Sequence, residues 1–180
     1  MRSRAIGLLV PILVGALWTM GAANPIAPED HYHVYSVPLT HNFSGHFMLE
    51  DQFLSFEDHF DFELSHFANP VEKNGEPIFW FERHLTWWRF LNPPPWAGGL
   101  IGVENQFGRQ DLWVRDPQYL LLPALKSLTP PDPGTPPPVP LVWNHYLCYL
   151  AQGDPVDQPV TLVDQFGDWA GVVLEPELFC

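Results

Sequence analysis

Basic residues are scarce in this chain, and that scarcity excludes one class of partner. Its 180 residues include 8 Lys and Arg against 21 Asp and Glu, a net charge of −13 with His neutral. A surface of this charge repels phosphate backbones, so we expect no nucleic acid partner. The acidic residues are scattered along the chain instead of gathered in a tail, which is typical of a solvated exterior.

Signatures of catalysis are missing as well. The sequence contains no Gly-x-Ser-x-Gly, no phosphate-binding glycine loop and no zinc motif. Carboxylate neighbours such as Glu50 and Asp51 could serve glycoside hydrolysis only across a cleft, and nothing in the sequence selects such a pair. We therefore predict that the protein is not an enzyme.

The first residues predict export from the cytoplasm. Arg2 and Arg4 precede an apolar run over 5–20, and small residues follow it at 21–23. This pattern is typical of a secretory signal peptide, and the run is shorter than the ~20 residues that a membrane-spanning helix needs. We expect cleavage near Ala23, a secreted or periplasmic mature protein, and no membrane span after cleavage.

Helical periodicity is absent, whereas aromatic residues are abundant. No stretch places apolar residues at helical spacing over three turns, and the 21 prolines interrupt most candidates. The 8 Trp and 13 Phe can supply a core, so the prolines punctuate a folded chain. Short runs rich in β-branched and aromatic residues indicate strands, among them Asp111–Arg115, Val160–Val163 and Gly171–Leu174.

One pattern recurs three times along the chain. A histidine opens an aromatic-rich run, an Asp/Asn-Gln-Phe tripeptide follows after nearly constant spacing, and a Pro-x-x-Lys element follows the first two tripeptides. These markers are His31, Asp51 and Lys73, then His84, Asn105 and Lys126, then His145 and Asp164. Self-similarity at fixed spacing is typical of internal repeats.

These markers predict how the chain is divided and folded. The expected divisions are a signal peptide (1–23), a lead-in (24–30), repeat 1 (31–73), repeat 2 (84–126), a Pro-rich linker or loop (127–144) and a truncated repeat 3 (145–180). About three strands in each repeat predict an all-β fold, as a β-sandwich or barrel. A β-trefoil-like, pseudo-threefold arrangement is the alternative. It needs a fourth strand per repeat, for which Ile78–Phe81 is the clear candidate.

Two cysteines, Cys148 and Cys180, lie in repeat 3, and repeats 1 and 2 lack both equivalents. If the two cysteines form a disulfide, we expect other repeats to lack both of them together, because a single remaining cysteine would be a reactive free thiol. Closing this loop should stabilise the fold by about 3 to 4 kcal/mol in the chain-entropy model. Free or intermolecular thiols are the alternative.

The recurring tripeptide has two interpretations. Its carboxylate and amide oxygens are ligands that Ca²⁺ takes, so calcium is one candidate cofactor. We favour a structural role, in which Asp or Asn accepts turn hydrogen bonds, Gln bridges to a neighbouring strand and Phe fills the core between repeats. Asn105 also removes a charge that a calcium cage would use. Our prediction is therefore that no cofactor is bound.

Histidines and tryptophans are the remaining candidates for ligand contacts. His31 and His33 share one face of a predicted strand and could hold a transition metal, but we favour half-buried histidines and predict no metal site. Trp80, Trp88 and Trp96 crowd the middle of the chain and are candidate ligand contacts. Flat rings near carboxylates are typical of sugar-binding surfaces, although the same rings would serve equally as core.

The markers of the third repeat carry a family resemblance. They are the His-x-x-Cys-Tyr run at 145–149, the Asp-Gln-Phe-Gly run at 164–167 and Cys180, with the Asn-Pro-Val-x-Lys tail at 69–73 in repeat 1. Together they resemble a domain family of unknown function in secreted bacterial proteins, often found in tandem. The resemblance implies secretion, a bacterial source and β structure, and it implies no activity. Repeats 1 and 2 depart from it by lacking the cysteines.

The leading hypothesis is a secreted, non-catalytic β-repeat protein with a structural or interaction role. The alternative is an extracellular module that binds a glycan or another ligand through the Trp-rich central segment, and a hydrolase ranks below both. The expected partner is an extracellular protein or a glycan.

Overall fold

A computed structural model describes residues 30–38, 41–126 and 144–180. The predicted signal peptide over 1–23 lies outside the described residues, as do the lead-in apart from Asp30 and the Pro-rich linker apart from Asn144. The strands are β1 His31–Ser36, β2 Asn42–Glu50, β3 Ser55–Lys73, β4 His84–Phe90, β5 Gly99–Asn105, β6 Gly108–Ala124, β7 Tyr146–Gln152, β8 Gln158–Asp164, β9 Gly167–Val173 and β10 Leu178–Phe179. The described residues contain no helix, so the prediction of an all-β protein is confirmed.

Strand order follows the same sequence in three stretches, which we call segment 1 (31–73), segment 2 (84–126) and segment 3 (145–180). Each begins with a short strand at its histidine or directly after it, and continues with a hairpin whose turn carries the Gln-Phe pair. The expected three strands are found in segments 1 and 2, and segment 3 adds the short β10 as a fourth. Ile78–Phe81 lies in a loop rather than in the additional strand that the trefoil alternative needs.

All ten strands belong to one open antiparallel sheet. Its main path runs β10-β7-β6-β4-β3-β8-β9, with β1 and β2 paired to β3 and β5 paired to β6. This open sheet differs from the expected sandwich or barrel. The reason lies in the 19-residue β3 and the 17-residue β6, which extend past one neighbour and pair with another. β3 pairs with β2 along its first half and with β1 along its second half. The strands β1 and β2 therefore belong to one sheet instead of two separate sheets.

Alternation along the strands positions the core. In β3, Phe60 and Phe62 point to the same side as Phe56, and both are fully buried against Phe90 of β4. A second buried cluster takes one residue from each of four strands in all three segments, namely Ala68, Leu85, Leu121 and Cys148. Burial of apolar surface contributes about 25 cal/mol per Å², so this shared core couples the segments energetically.

Candidate functional site

The three Gln-Phe turns have the same local geometry. The backbone N–H of Phe53 donates to Asp51 Oδ1, that of Phe107 to Asn105 Oδ1 and that of Phe166 to Asp164 Oδ1, each over 2.8 Å. A side-chain oxygen that accepts a bond from the backbone two residues later forms an Asx turn, which suits Asp and Asn equally. This geometry agrees with the structural interpretation of the tripeptide.

The two carboxylates in these turns also join segments 1 and 3. The hydroxyl of Tyr149 donates to Asp51 Oδ2 over 2.8 Å, and the hydroxyl of Tyr35 donates to Asp164 Oδ2 over 2.6 Å. Burial, reinforced by the bond to Asp164, raises the pKa of Tyr35 to about 12. Burial and the bond to Asp51 likewise raise the pKa of Tyr149. Both oxygens of each carboxylate therefore already accept hydrogen bonds from the protein, which weakens the calcium interpretation.

The glutamines of two turns contact the tail of segment 1. The Lys73 ammonium donates to Gln106 Oε1 and lies 5.4 Å from the centre of the Phe107 ring. Gln165 Nε2 donates to Asn69 Oδ1 over 3.0 Å. The predicted role of Gln as a bridge to a neighbouring strand is thus found at Gln106 and Gln165.

The paired histidines of β1 each have an acidic neighbour. His31 Nε2 lies 2.7 Å from Glu76 Oε2, and His33 Nδ1 lies 3.0 Å from the Tyr35 hydroxyl and 3.6 Å from Asp164 Oδ2. These contacts account for both imidazoles without a metal ion. In the described parts of the chain, no group of three or more His, Cys, Asp or Glu side chains is placed to hold a metal.

The predicted disulfide is present. Cys148 in β7 is bonded to Cys180, which directly follows β10. Cys148 is fully buried within the cluster that all three segments share. The bond therefore ties the end of segment 3 to the buried cluster that the three segments share.

The three candidate tryptophans lie in different surroundings. Trp88 packs edge-on against Phe43 with ring centres 4.7 Å apart, and its indole N–H donates to Thr86. Trp96 packs against Phe53 and Tyr149. Trp80 is 45% exposed, between the exposed rings of Phe79 and Phe81. Of the three, Trp80 is the one whose ring faces solvent, while Trp88 and Trp96 border the core.

A cavity of about 340 Å³ opens beside this aromatic loop. Segment 1 contributes Asn69, Pro70 and Glu72, and the loop that follows contributes Ile78 and Phe81. Segment 2 contributes His84 and Lys126, and segment 3 contributes Val163, Asp164 and Gln165. We call this the junction pocket. Its volume lies within the range of small-molecule sites.

Two residues that line the junction pocket each have one buried side-chain nitrogen without a hydrogen-bond partner in the described structure. Asn69 is 1% exposed and His84 is 5% exposed, yet Asn69 Nδ2 and His84 Nδ1 are both without a bond within the described structure. Burial, assisted by the nearby charge of Lys126, lowers the pKa of His84, so its imidazole is neutral at neutral pH. Buried polar atoms are almost always satisfied by protein, water or ligand. The junction pocket is therefore the candidate functional site.

Sequence reasoning had marked most of these residues without placing them together. His84 opens segment 2, Lys126 closes it, and Asn69 begins the Asn-Pro-Val-x-Lys tail. Their proximity comes from strand pairing, because His84 is opposite Ala124 and Glu72 is opposite Val163. The signal that could have suggested the site is the recurrence of these positions at the boundaries of the segments.

No family model, curated protein or solved structure matches this chain. The resemblance carried by the third segment therefore stays a prediction. Within the described residues, no helix is long and apolar enough to cross a membrane.

Proposed function

We propose that the chain is a secreted, non-catalytic module made of three diverged copies of one β unit, with a structural or interaction role outside the cytoplasm. One observation carries the proposal: recurring residues form contacts between segments. The pairs are Tyr149 with Asp51, Tyr35 with Asp164, and Lys73 with Gln106. A residue used to join units is accounted for without a catalytic role.

Secretion to the exterior or the periplasm is part of the same proposal. The N-terminal pattern of a signal peptide and the Cys148–Cys180 bond support it, because disulfides persist in oxidising compartments. Mass spectrometry of the exported protein tests it. We expect cleavage near Ala23 and a gain of two hydrogens on reduction. An intact N-terminus retained in the cytoplasm would contradict it.

Hydrolysis is disfavoured by the surroundings of Asp164, one of the two carboxylates that line the junction pocket. A hydrolase would use Glu72 and Asp164 together across a substrate. The Asp164 side chain is 1% exposed, and its oxygens accept the Phe166 N–H and the Tyr35 hydroxyl. It is therefore poorly placed to act as nucleophile, acid or base.

Assays with chromogenic glycosides and esters test the absence of catalysis. We expect no turnover that distinguishes the native protein from the Glu72→Gln variant. Turnover that this substitution abolishes would show that the protein is an enzyme.

Glycan binding is the second candidate function, and exposure of Phe79, Trp80 and Phe81 at the edge of the junction pocket favours it. A pull-down with insoluble acidic and neutral polysaccharides tests it. We expect retention that falls at least about fivefold in Trp80→Ala, since an exposed ring loses its contact area without disturbing the core. The control is Trp169→Ala, which removes a similarly exposed ring from β9. Equal retention of both variants and the native protein would exclude the aromatic loop as the binding surface.

A further inference from the structure

A cavity of about 510 Å³ lies between segments 2 and 3 and shares no lining residue with the junction pocket. We call it the terminal cavity. One wall is the hairpin of β5 and β6, and the other is mainly the end of segment 3, over 173–180. Most of the lining is apolar and includes Val103, Phe107, Leu112, Val173, Leu178 and Phe179. The volume lies within the range of small-molecule sites, so the cavity can hold the apolar body of a ligand.

The wall that contains β10 is fixed in place. Leu178 and Phe179 pair with β7, and Cys180 beside them is bonded to the fully buried Cys148. On the opposite wall, Leu112 belongs to a buried cluster against which Phe179 also packs. A surface that is already ordered lowers the entropic cost of binding. The terminal cavity is therefore a pre-formed site.

The charge of the terminal cavity is negative. Glu104 on one wall and Glu175 on the other are its charged lining residues within the described part of the chain, and both are exposed. Arg109 is opposite Glu104 in the ladder between β5 and β6 without lining the cavity, so it can offset that carboxylate. Segment 3 contains no Lys or Arg that could offset Glu175 in the same way. An entering cation is therefore attracted to Glu175.

Lys73 is a second cation near the terminal cavity, and it is engaged within the protein. Its ammonium donates to Gln106 and lies 5.4 Å from the centre of the Phe107 ring, and the residue is 6% exposed. The half-buried ring of Phe179 lines the cavity from the other wall. Because aromatic rings pack favourably against one another, a flat ring is the apolar body that this lining suits.

We propose that the terminal cavity binds an aromatic ammonium of the size of a phenylalkylamine. The ring would lie against Leu112 and Phe179, and the ammonium would donate to Glu175 at the edge of the cavity. Charge-assisted bonds between an ammonium and a carboxylate are stronger than neutral ones, so the ammonium sets the specificity. This inference goes beyond the proposed function, because neither the contacts between segments nor the aromatic loop uses this cavity.

A chemical-shift titration of the isotope-labelled mature protein with phenethylamine at pH 7 tests the proposal. We expect a Kd on the order of 1 mM, because so small a ligand buries little surface. The comparison probes are 2-phenylethanol, which lacks the ammonium, and ethylamine, which lacks the ring. Each should bind at least about fivefold more weakly. Equal affinity for either probe, or no binding of phenethylamine, would overturn the proposal.

The same titration locates the site. The largest amide shifts should lie within 103–112 and 173–180, which form the two walls. Shifts centred on His84 and Lys126 would place the ligand in the junction pocket and overturn the assignment to the terminal cavity.

One variant and its matched control test the carboxylate. Glu175→Gln should weaken phenethylamine binding about fivefold and leave 2-phenylethanol binding unchanged, because it removes the charge and keeps the side-chain shape. Glu177→Gln is the control, since it removes an exposed carboxylate of the same loop that does not line the cavity. Equal effects of the two substitutions would reject Glu175 as the partner of the ammonium.

Discussion

In segments 1 and 2 the first strand is held to the last by a hydrogen-bonded ladder, whereas in segment 3 a disulfide also joins the first strand to the end of the segment. In segment 1 the first strand pairs with the end of β3 through six residue pairs, from His31 opposite Val71 to Ser36 opposite His66. In segment 3 two residues of β7 pair with β10, and the Cys148–Cys180 bond lies beside them. The covalent bond thus lies beside β10, which is much shorter than the closing strands β3 and β6.

The turns show a second difference. Asp164 and Asp51 each accept a tyrosine hydroxyl from another segment, from Tyr35 and Tyr149 respectively, whereas the side-chain oxygen of Asn105 accepts the backbone N–H of Phe107. The residue of segment 2 that corresponds to Tyr35 and Tyr149 is Trp88, whose indole is used elsewhere. The two turns with a carboxylate are thus the two in which a tyrosine from another segment donates to the second oxygen.

Removing the disulfide should have the largest effect on this comparison. We expect the double variant Cys148→Ala with Cys180→Ala to lose about 3 to 4 kcal/mol of unfolding free energy, because the loop is no longer constrained in the unfolded chain. Urea unfolding followed by tryptophan fluorescence measures it, and reduction of the native protein is the control. A loss below about 1 kcal/mol would mean that the ladder between β7 and β10 closes segment 3 unaided.

The two tyrosines should differ in their contributions. Tyr35→Phe should cost about 1.5 to 3 kcal/mol, since it deprives a buried carboxylate of a charge-assisted bond. Tyr149→Phe should cost about 1 kcal/mol, because Asp51 is exposed and water can replace the hydroxyl. The same urea titration measures both variants. Equal costs would show that burial of the carboxylate does not set the strength of these joints.

Much of this architecture could be predicted from the sequence, whereas the junction pocket could not. Strand positions follow from local alternation, and the disulfide follows from paired presence of its cysteines. The length of β3 could not be read, because Pro70 and Asn69 are poor strand residues that β1 and the Gln165 side chain hold in place. The junction pocket depends on which strand ends meet, and pairing between distant strands leaves no local pattern.

Acidification should destabilise the fold through two histidines, the buried His84 in the junction pocket and the half-buried His66 outside it. Burial lowers the folded-state pKa of His84 and of His66 below the ordinary value near 6.5. Below pH ~6.5 the unfolded chain therefore binds more protons, so the stability that is complete above that pH is lost as the pH falls. His84→Gln should flatten the decline measured by urea titrations between about pH 7 and pH 5. His66→Gln is the matched variant outside the pocket. A decline unchanged in both variants would contradict this origin.

The smallest effect on stability is expected at the aromatic loop. Trp80→Ala should change the unfolding free energy by no more than about 0.5 kcal/mol, because its ring is exposed and its ring contact is the Arg83 guanidinium. Trp88→Ala is the comparison and should cost about 3 kcal/mol, since that ring packs against the core. Thermal unfolding compares the stabilities of the two variants. A larger loss in Trp80→Ala than in Trp88→Ala would contradict the assignment of Trp88 to the core.

A double-mutant cycle between Tyr35 and Asp164 tests most directly whether recurring residues hold the segments together. The cycle compares Tyr35→Phe, Asp164→Asn and their combination by urea unfolding. We predict a coupling energy of about 1 to 2 kcal/mol, because the two side chains share one charge-assisted bond across segments 1 and 3. Additive losses, with no coupling, would contradict the account.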